Sequence, residues 1–190
     1  MPVPDTVPAH SQVSLLVPTF PDDCPPDQIL PADCVFTDLR AASYPEALAL
    51  LAQRLQERGR IPDATQCLED ILARERLSPT MLEHDIALPR ARTAQVAHLL
   101  AALALCRLEL PDASRERTVI IVLSLSPKEH ASPYMQFIAH IARVLLNHPD
   151  LDALRQIRDP APVAQYLPVM HIMLRNRVIR TGIFHQYAIL

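Results

Sequence analysis

The sequence predicts an α/β fold: a mixed β-sheet flanked by helices. Three observations carry that reading. Two near-continuous apolar runs, Val96–Leu108 and Val119–Leu125, read as central strands covered on both faces. Two capped amphipathic helices precede them, and a serine–proline pair opens a third helix after them. The element order is then βααββαα, within a chain of 190 residues that has room for one full hydrophobic core.

Taken in order, the chain divides by proline. Eight of its 19 prolines precede Val35, so residues 1–28 are expected to be extended or disordered, without regular helix. Ser11–Val17 could still pair as an edge strand. The folded domain is expected over 29–170. Cys34–Leu39 alternates and reads as a short strand. Ser43 and Glu46 form a capping box ahead of a helix whose apolar face is Leu48, Leu51 and Leu55, and Gly59 fits the left-handed stop beyond it. A second helix opens at Asp63, with Gln66 in its third position, and runs through Cys67, Leu68, Ile71 and Leu72 to about Arg76. Ser78–Arg92 has no period and reads as a loop. After the two apolar strands, Ser132-Pro133 starts a third helix with Met135, Ile138, Ile141, Ala142 and Leu145 inward. Two short helices are expected at Asp150–Ile157 and Pro162–Leu167.

Composition excludes several function classes. Apolar residues are 49% and charged residues 21%, as in a folded globular chain. A formal net charge of −3 argues against a strongly basic nucleic-acid binder. The basic residues are 17 Arg and one Lys, Lys128, a bias that suits fixed ion pairs and anion clamps. Gly59 and Gly182 are the two glycines, which excludes glycine-rich nucleotide loops. Cys24, Cys34, Cys67 and Cys106 form no C-x-x-C pair, and Met1–His10 has no apolar run of a signal peptide. Free thiols and a cytoplasmic location are expected. No apolar stretch reaches the ~18 residues of a membrane helix, so no membrane insertion is expected. No histidine–carboxylate spacing suggests a metal, and no cofactor is expected.

The informative segment is Ala73-Arg74-Glu75-Arg76-Leu77-Ser78-Pro79-Thr80, then Asp85-Ile86-Ala87-Leu88-Pro89-Arg90-Ala91-Arg92. It resembles the enzyme IIA domain of the mannitol/fructose class of the phosphoenolpyruvate-dependent sugar phosphotransferase system, a class that includes nitrogen-regulatory IIA proteins. That family carries an R-E-K-L-S/T-x-T stretch, a glycine-containing turn, then I-A-x-P-H. Ile29–Phe36 is similar to its first strand, and Ile120–Ser126 with Pro127 to the strand before its next helix. The resemblance implies a phosphoryl relay in which a histidine accepts phosphate from HPr and passes it to a IIB domain. Such chemistry needs a neutral imidazole nitrogen as nucleophile and a cation beside the transferring group.

Here the sequence departs from the pattern. Arg90 stands where the family has its phosphorylated histidine, and a guanidinium offers donors only. Tyr134 stands where the resemblance places the second histidine. Glu83-His84-Asp85 replaces the glycine-containing turn. Arg74 matches the family's phosphate-clamping arginine and Thr80 the hydroxyl beside it. With Arg92 added, the resemblance implies an anion- or phosphate-binding site of Arg74, Thr80, Arg90 and Arg92 without its nucleophile.

Each residue also has a plainer reading. Arg90 could pair with Glu83 or Asp85 at the surface, a contact worth ~0–1 kcal/mol. Arg74 could serve the carbonyl end of its helix, and Tyr134 could pack at a helix start. His84 or His130 could replace the lost nucleophile, or be solvated loop histidines. His98 and His140 read as surface or satisfied histidines. The segment 171–190 is apolar and basic, with Arg175, Arg177 and Arg180. It reads as a docked terminal element or as a partner- or self-association segment.

Three functions follow. One is a regulatory or protein-binding module that cannot carry phosphate and engages HPr, a IIB or IIC component, or a regulated kinase or transporter. The second is an active phosphocarrier with a displaced histidine. The third is a structural domain whose site has drifted.

Overall fold

The computed structural model describes residues 26–109, 116–128, 132–146 and 151–157. A four-residue helix α1 (Pro26–Ile29) and a 3-10 turn (Ala32–Cys34) lead into β1 (Val35–Ala41). Helices α2 (Tyr44–Glu57) and α3 (Ala64–Leu77) follow. The short strands β2 (Met81–Leu82), β3 (Ile86–Ala87) and β4 (Arg90–Thr93) precede the long β5 (Leu100–Glu109) and β6 (Glu116–Pro127). Helices α4 (Ser132–Leu146) and α5 (Leu151–Gln156) close the described chain.

The strands form one mixed sheet in the order β1-β5-β6-β3-β2, with β4 also on β6. β1 runs parallel to β5, and β3 and β4 run parallel to β6, whereas β5/β6 and β2/β3 are antiparallel. The expected fold class is therefore the observed one.

Alternation along the central strands divides the core into two layers. Leu100, Ala102, Ala104 and Cys106 of β5 and Val119, Ile121, Leu123 and Leu125 of β6 face α2 and α3. Leu103, Leu105, Ile120 and Val122 face α4, which contributes Phe137, Ile138, Ile141 and Leu145. Both long strands thus bury both faces, which is why their sequences lack polar alternation.

The helix caps follow the sequence. Ser43 Oγ accepts from Glu46 N at 3.3 Å, but Glu46 Oε2 reaches back to Ala42 N at 2.8 Å rather than to the cap's own amide. Asp63 Oδ1 accepts from Thr65 N and Gln66 N at 2.9 and 3.1 Å. Gly59 ends the α2 segment at φ +68°.

Several expectations are corrected. The stretch before Val35 does hold helix. Pro26 opens α1, a position where its missing N–H costs nothing, and Ile29 and Leu30 are buried beneath α4 and β5. Ser78–Arg92 is three short strands rather than a loop, since strands of two residues show no period and Pro89 interrupts them. Val96–Leu99 precedes β5 instead of belonging to it, with Ala97 and His98 exposed. Phe137 joins the buried stripe of α4. Ser11–Val17, the helix at Pro162–Leu167, Cys24 and the segment 171–190 lie outside the described residues, as does the side chain of Met135.

Candidate functional site

The turn Glu83-His84-Asp85 joins β2 to β3. His84 and Asp85 both adopt left-handed backbone, φ 56° and 53°, so two non-glycine residues do what glycine does more cheaply. Three contacts hold the turn. Asp85 O accepts from Ile120 N at 2.9 Å. Arg117 Nε donates to Asp85 Oδ1 at 2.7 Å, and a second Arg117 nitrogen donates to the same oxygen. Arg155 of α5 donates to the His84 carbonyl. The plainer reading of Arg90, a surface pair with Glu83 or Asp85, is not met: among the described residues it pairs with neither. Arg117, next to Asp85 across the sheet, occupies that carboxylate.

After β3 the chain steps through Leu88-Pro89 and resumes pairing as β4. Leu88 N donates to Thr80 O at 3.1 Å, and Ser124 N donates to Pro89 O at 2.9 Å. Arg90 then registers against Ser124 and Arg92 against Ser126. Ala91 belongs to the core under α2 and α3. Arg90 and Arg92 therefore project to the opposite face, with Ile86 and Leu88, toward α4. Arg90 is half-buried and Arg92 exposed, and among the described residues neither guanidinium has a hydrogen bond or ion pair.

Arg74 and Thr80 belong to the α3 side. Arg74 Nη1 donates to Ser78 O at 3.4 Å, so it caps the end of its helix, as the plainer reading expects. Thr80 Oγ1 donates to Glu75 Oε1 at 2.5 Å, and Thr80 N donates to Glu75 Oε2 at 3.2 Å. The hydroxyl's proton is thereby directed at Glu75, and what remains is an acceptor, the wrong polarity for an anion. Tyr44 packs beside this pair. Burial first, then the Glu75 charge, push its phenol well above the usual tyrosine range.

Arg90 and Arg92 are thus brought together, and so are Arg74, Glu75 and Thr80, but no hydrogen bond among the described residues joins the two groups. His84 is at a distance from Arg90. Ile120, bonded to Asp85, and Ser124, opposite Arg90, are four residues apart, roughly 13 Å along a strand. Tyr134 falls in the first turn of α4, but its side chain and all of His130 lie outside the described residues. Among the described residues no histidine, cysteine and carboxylate cluster could hold a metal. Among the described residues no helix is long and apolar enough to cross a membrane.

Sequence reasoning missed Ser124, Ser126, Glu75 and Arg117. The serines did leave a signal: Ser124-Leu125-Ser126 places two polar residues at period two at the end of an aliphatic strand. Arg117 left none, because its partner Asp85 lies 32 residues away and is set by sheet register; Glu75 stood in the quoted motif, but its bond to Thr80, five residues on, depends on how the chain turns out of α3.

Residues 28–168 match the family described as "Phosphoenolpyruvate-dependent sugar phosphotransferase system, EIIA 2". The chain belongs to this EIIA 2 family. A relative in Escherichia coli K12, "PTS system 2-O-alpha-mannosyl-D-glycerate-specific EIIABC component", is 32% identical over 112 residues, covering 56% of this chain. The match spans 17% of that relative's own length. Among solved structures, the nitrogen regulatory protein IIA-Ntr of Neisseria meningitidis superposes with a TM-score of 0.60 at 19% identity, covering 74% of this chain and 97% of that one. IIA mannitol from Escherichia coli gives 0.56 at 19%, covering 72% and 96%. These two show the EIIA 2 fold, a mixed sheet with flanking helices.

Proposed function

We propose that this EIIA 2 domain does not carry phosphate itself and acts as a regulatory, protein-binding module of a sugar or nitrogen phosphotransferase system. The observation that carries the reading is Arg90. It follows Ile86-Ala87-Leu88-Pro89, where the family motif puts its phosphorylated histidine. A guanidinium has no lone pair to attack phosphorus and does not lose its proton at physiological pH. Two further features support it. The Thr80 hydroxyl is engaged by Glu75, and the turn that replaces the family's glycine is pinned by Arg117 and Arg155.

The partners are those such a domain would meet: HPr, a IIB or IIC component, or a regulated kinase or transporter. The sugar named for the Escherichia coli relative is not carried over to this chain. The alternative, an active phosphocarrier through His84, has against it the roughly 13 Å of strand between the hairpin and Arg90. The third reading is a structural domain with a drifted site.

Incubation with phosphoenolpyruvate, enzyme I and HPr tests the first reading: no acid-labile phosphate is expected on the chain. Phosphohistidine at His84 or His130 would select the second. Retention of a phosphotransferase component on the immobilised chain separates the first from the third.

A further inference from the structure

The face of β4 and β6 under α4 changes character at one level in both strands. Ile86 and Leu88 lie with Ile120 and Val122 in the apolar core beneath α4. Beyond Pro89 the same face continues as Arg90 and Arg92 beside Ser124 and Ser126. Ser124 and Ser126 are each 2% exposed, as buried as the aliphatic residues before them. The Ser126 hydroxyl is buried with no hydrogen-bond partner. Such an orphan is uncommon and costly in a folded protein, and it needs an explanation. Alongside it stand two like charges roughly 7 Å apart with no carboxylate on them among the described residues.

We propose that this polar end of the face binds a phosphoryl group that is already esterified, held by Arg90 and Arg92 with the Ser126 hydroxyl as a further donor. The inference deepens the binding-module reading by naming the ligand class: a phosphate monoester, on a small molecule or on a partner's side chain. A carboxylate is planar and is filled by one bidentate arginine. A phosphate monoester presents three terminal oxygens and close to two negative charges at pH 7. It can span two guanidiniums and still accept from a hydroxyl. Ser124 and Ser126 are not in the anion site of Arg74, Thr80, Arg90 and Arg92 that the resemblance implies, and no bond to phosphorus is made or broken here.

The test is calorimetric titration of the full chain at low salt with inorganic phosphate, a phenyl phosphate and a phosphoserine peptide, with the unphosphorylated peptide as control. Saturable binding is expected for at least one phosphorylated probe. R90Q and R92Q should each weaken it at least tenfold, and S126A several-fold, while raised ionic strength weakens all of them. Arg92 is exposed and without a partner among the described residues, so R92Q keeps the test informative if S126A fails to fold. Binding of the small probes assigns the site to a metabolite, and binding of the phosphopeptide alone assigns it to a partner's side chain. No saturable binding, or an affinity unmoved by R90Q and R92Q, overturns the site. The two readings fail separately. A chain that binds no phosphate yet stays unlabelled by HPr loses this site and keeps its proposed function, whereas a labelled chain loses that function whatever the titration gives.

Discussion

Arg90 stands opposite Ser124 in the parallel pairing of β4 with β6, one residue after a proline whose carbonyl accepts from Ser124 N at 2.9 Å. The position is therefore set by the sheet and does not drift with a flexible loop. Any side chain placed at residue 90 starts from the same backbone, which makes substitutions there interpretable.

Two left-handed positions give stability changes of opposite sign. Gly59 is at φ +68°, and a Cβ there would meet nothing within 4 Å, so Gly59→Ala is penalised by backbone strain alone. A loss of about 1 kcal/mol is expected. His84 is exposed at φ 56°, and its contact to Arg155 runs through the carbonyl, so His84→Gly keeps that contact. Relief of strain less the added unfolded-chain entropy leaves a gain of about 0.5 kcal/mol. Urea midpoints at unchanged slope check both. A gain for Gly59→Ala would contradict the assigned backbone.

These positions also show what was legible in the sequence. Ser43, Asp63 and Gly59 mark helix ends through interactions within a few residues, so α2 and α3 could be read directly. The runs in β5 and β6 could be read because burial on both faces removes polar residues. β2, β3 and β4 could not be read. β3 and β4 pair with β6, some thirty residues on, β2 pairs with β3, and two-residue strands carry no period. Arg90 and Thr80 were legible as motif positions. That Thr80 gives its proton to Glu75, and that Arg92 neighbours an orphaned Ser126, depends on register and rotamer, which no local pattern encodes.

The Thr80–Glu75 contact anchors the end of α3 to the start of β2. Thr80 is 9% exposed and donates to the carboxylate at 2.5 Å. Thr80→Val should cost about 1–2 kcal/mol by stranding Glu75, with Thr80→Ser recovering most of it. Chemical denaturation of the two variants checks this. A Val variant as stable as the parent would show the contact to be incidental.

The cysteines give a pH dependence. Burial, the largest cause in each case, pushes the thiols up from 9.0, Cys34 and Cys67 to about 12 and Cys106 to about 11. The folded state thus holds these protons more tightly than the unfolded state. On their account stability is full below pH 9, falls as pH rises from about 9 to 12, and has no slope in the acid range. Denaturant midpoints from pH 7 to 10.5 should fall only at the upper end, and Cys34→Ala should flatten the fall. Mass mapping after a thiol reagent at pH 8 should find Cys34, Cys67 and Cys106 unmodified in the native protein. Rapid native modification of any of the three would contradict the buried core.

On the proposed function, residue 90 is where phosphotransfer has been lost. The direct measurement is acid-labile phosphate on the parent chain, on Arg90→His and on the double variant Arg90→His with Tyr134→His. Each is incubated with phosphoenolpyruvate, enzyme I and HPr and mapped by mass spectrometry. The expected result is an unlabelled parent, slow labelling of Arg90→His at residue 90, and faster labelling of the double variant. The substitution exchanges a donor-only guanidinium for an imidazole, whose neutral form carries a nucleophilic nitrogen. Stoichiometric phosphohistidine on the parent chain would contradict the proposed function.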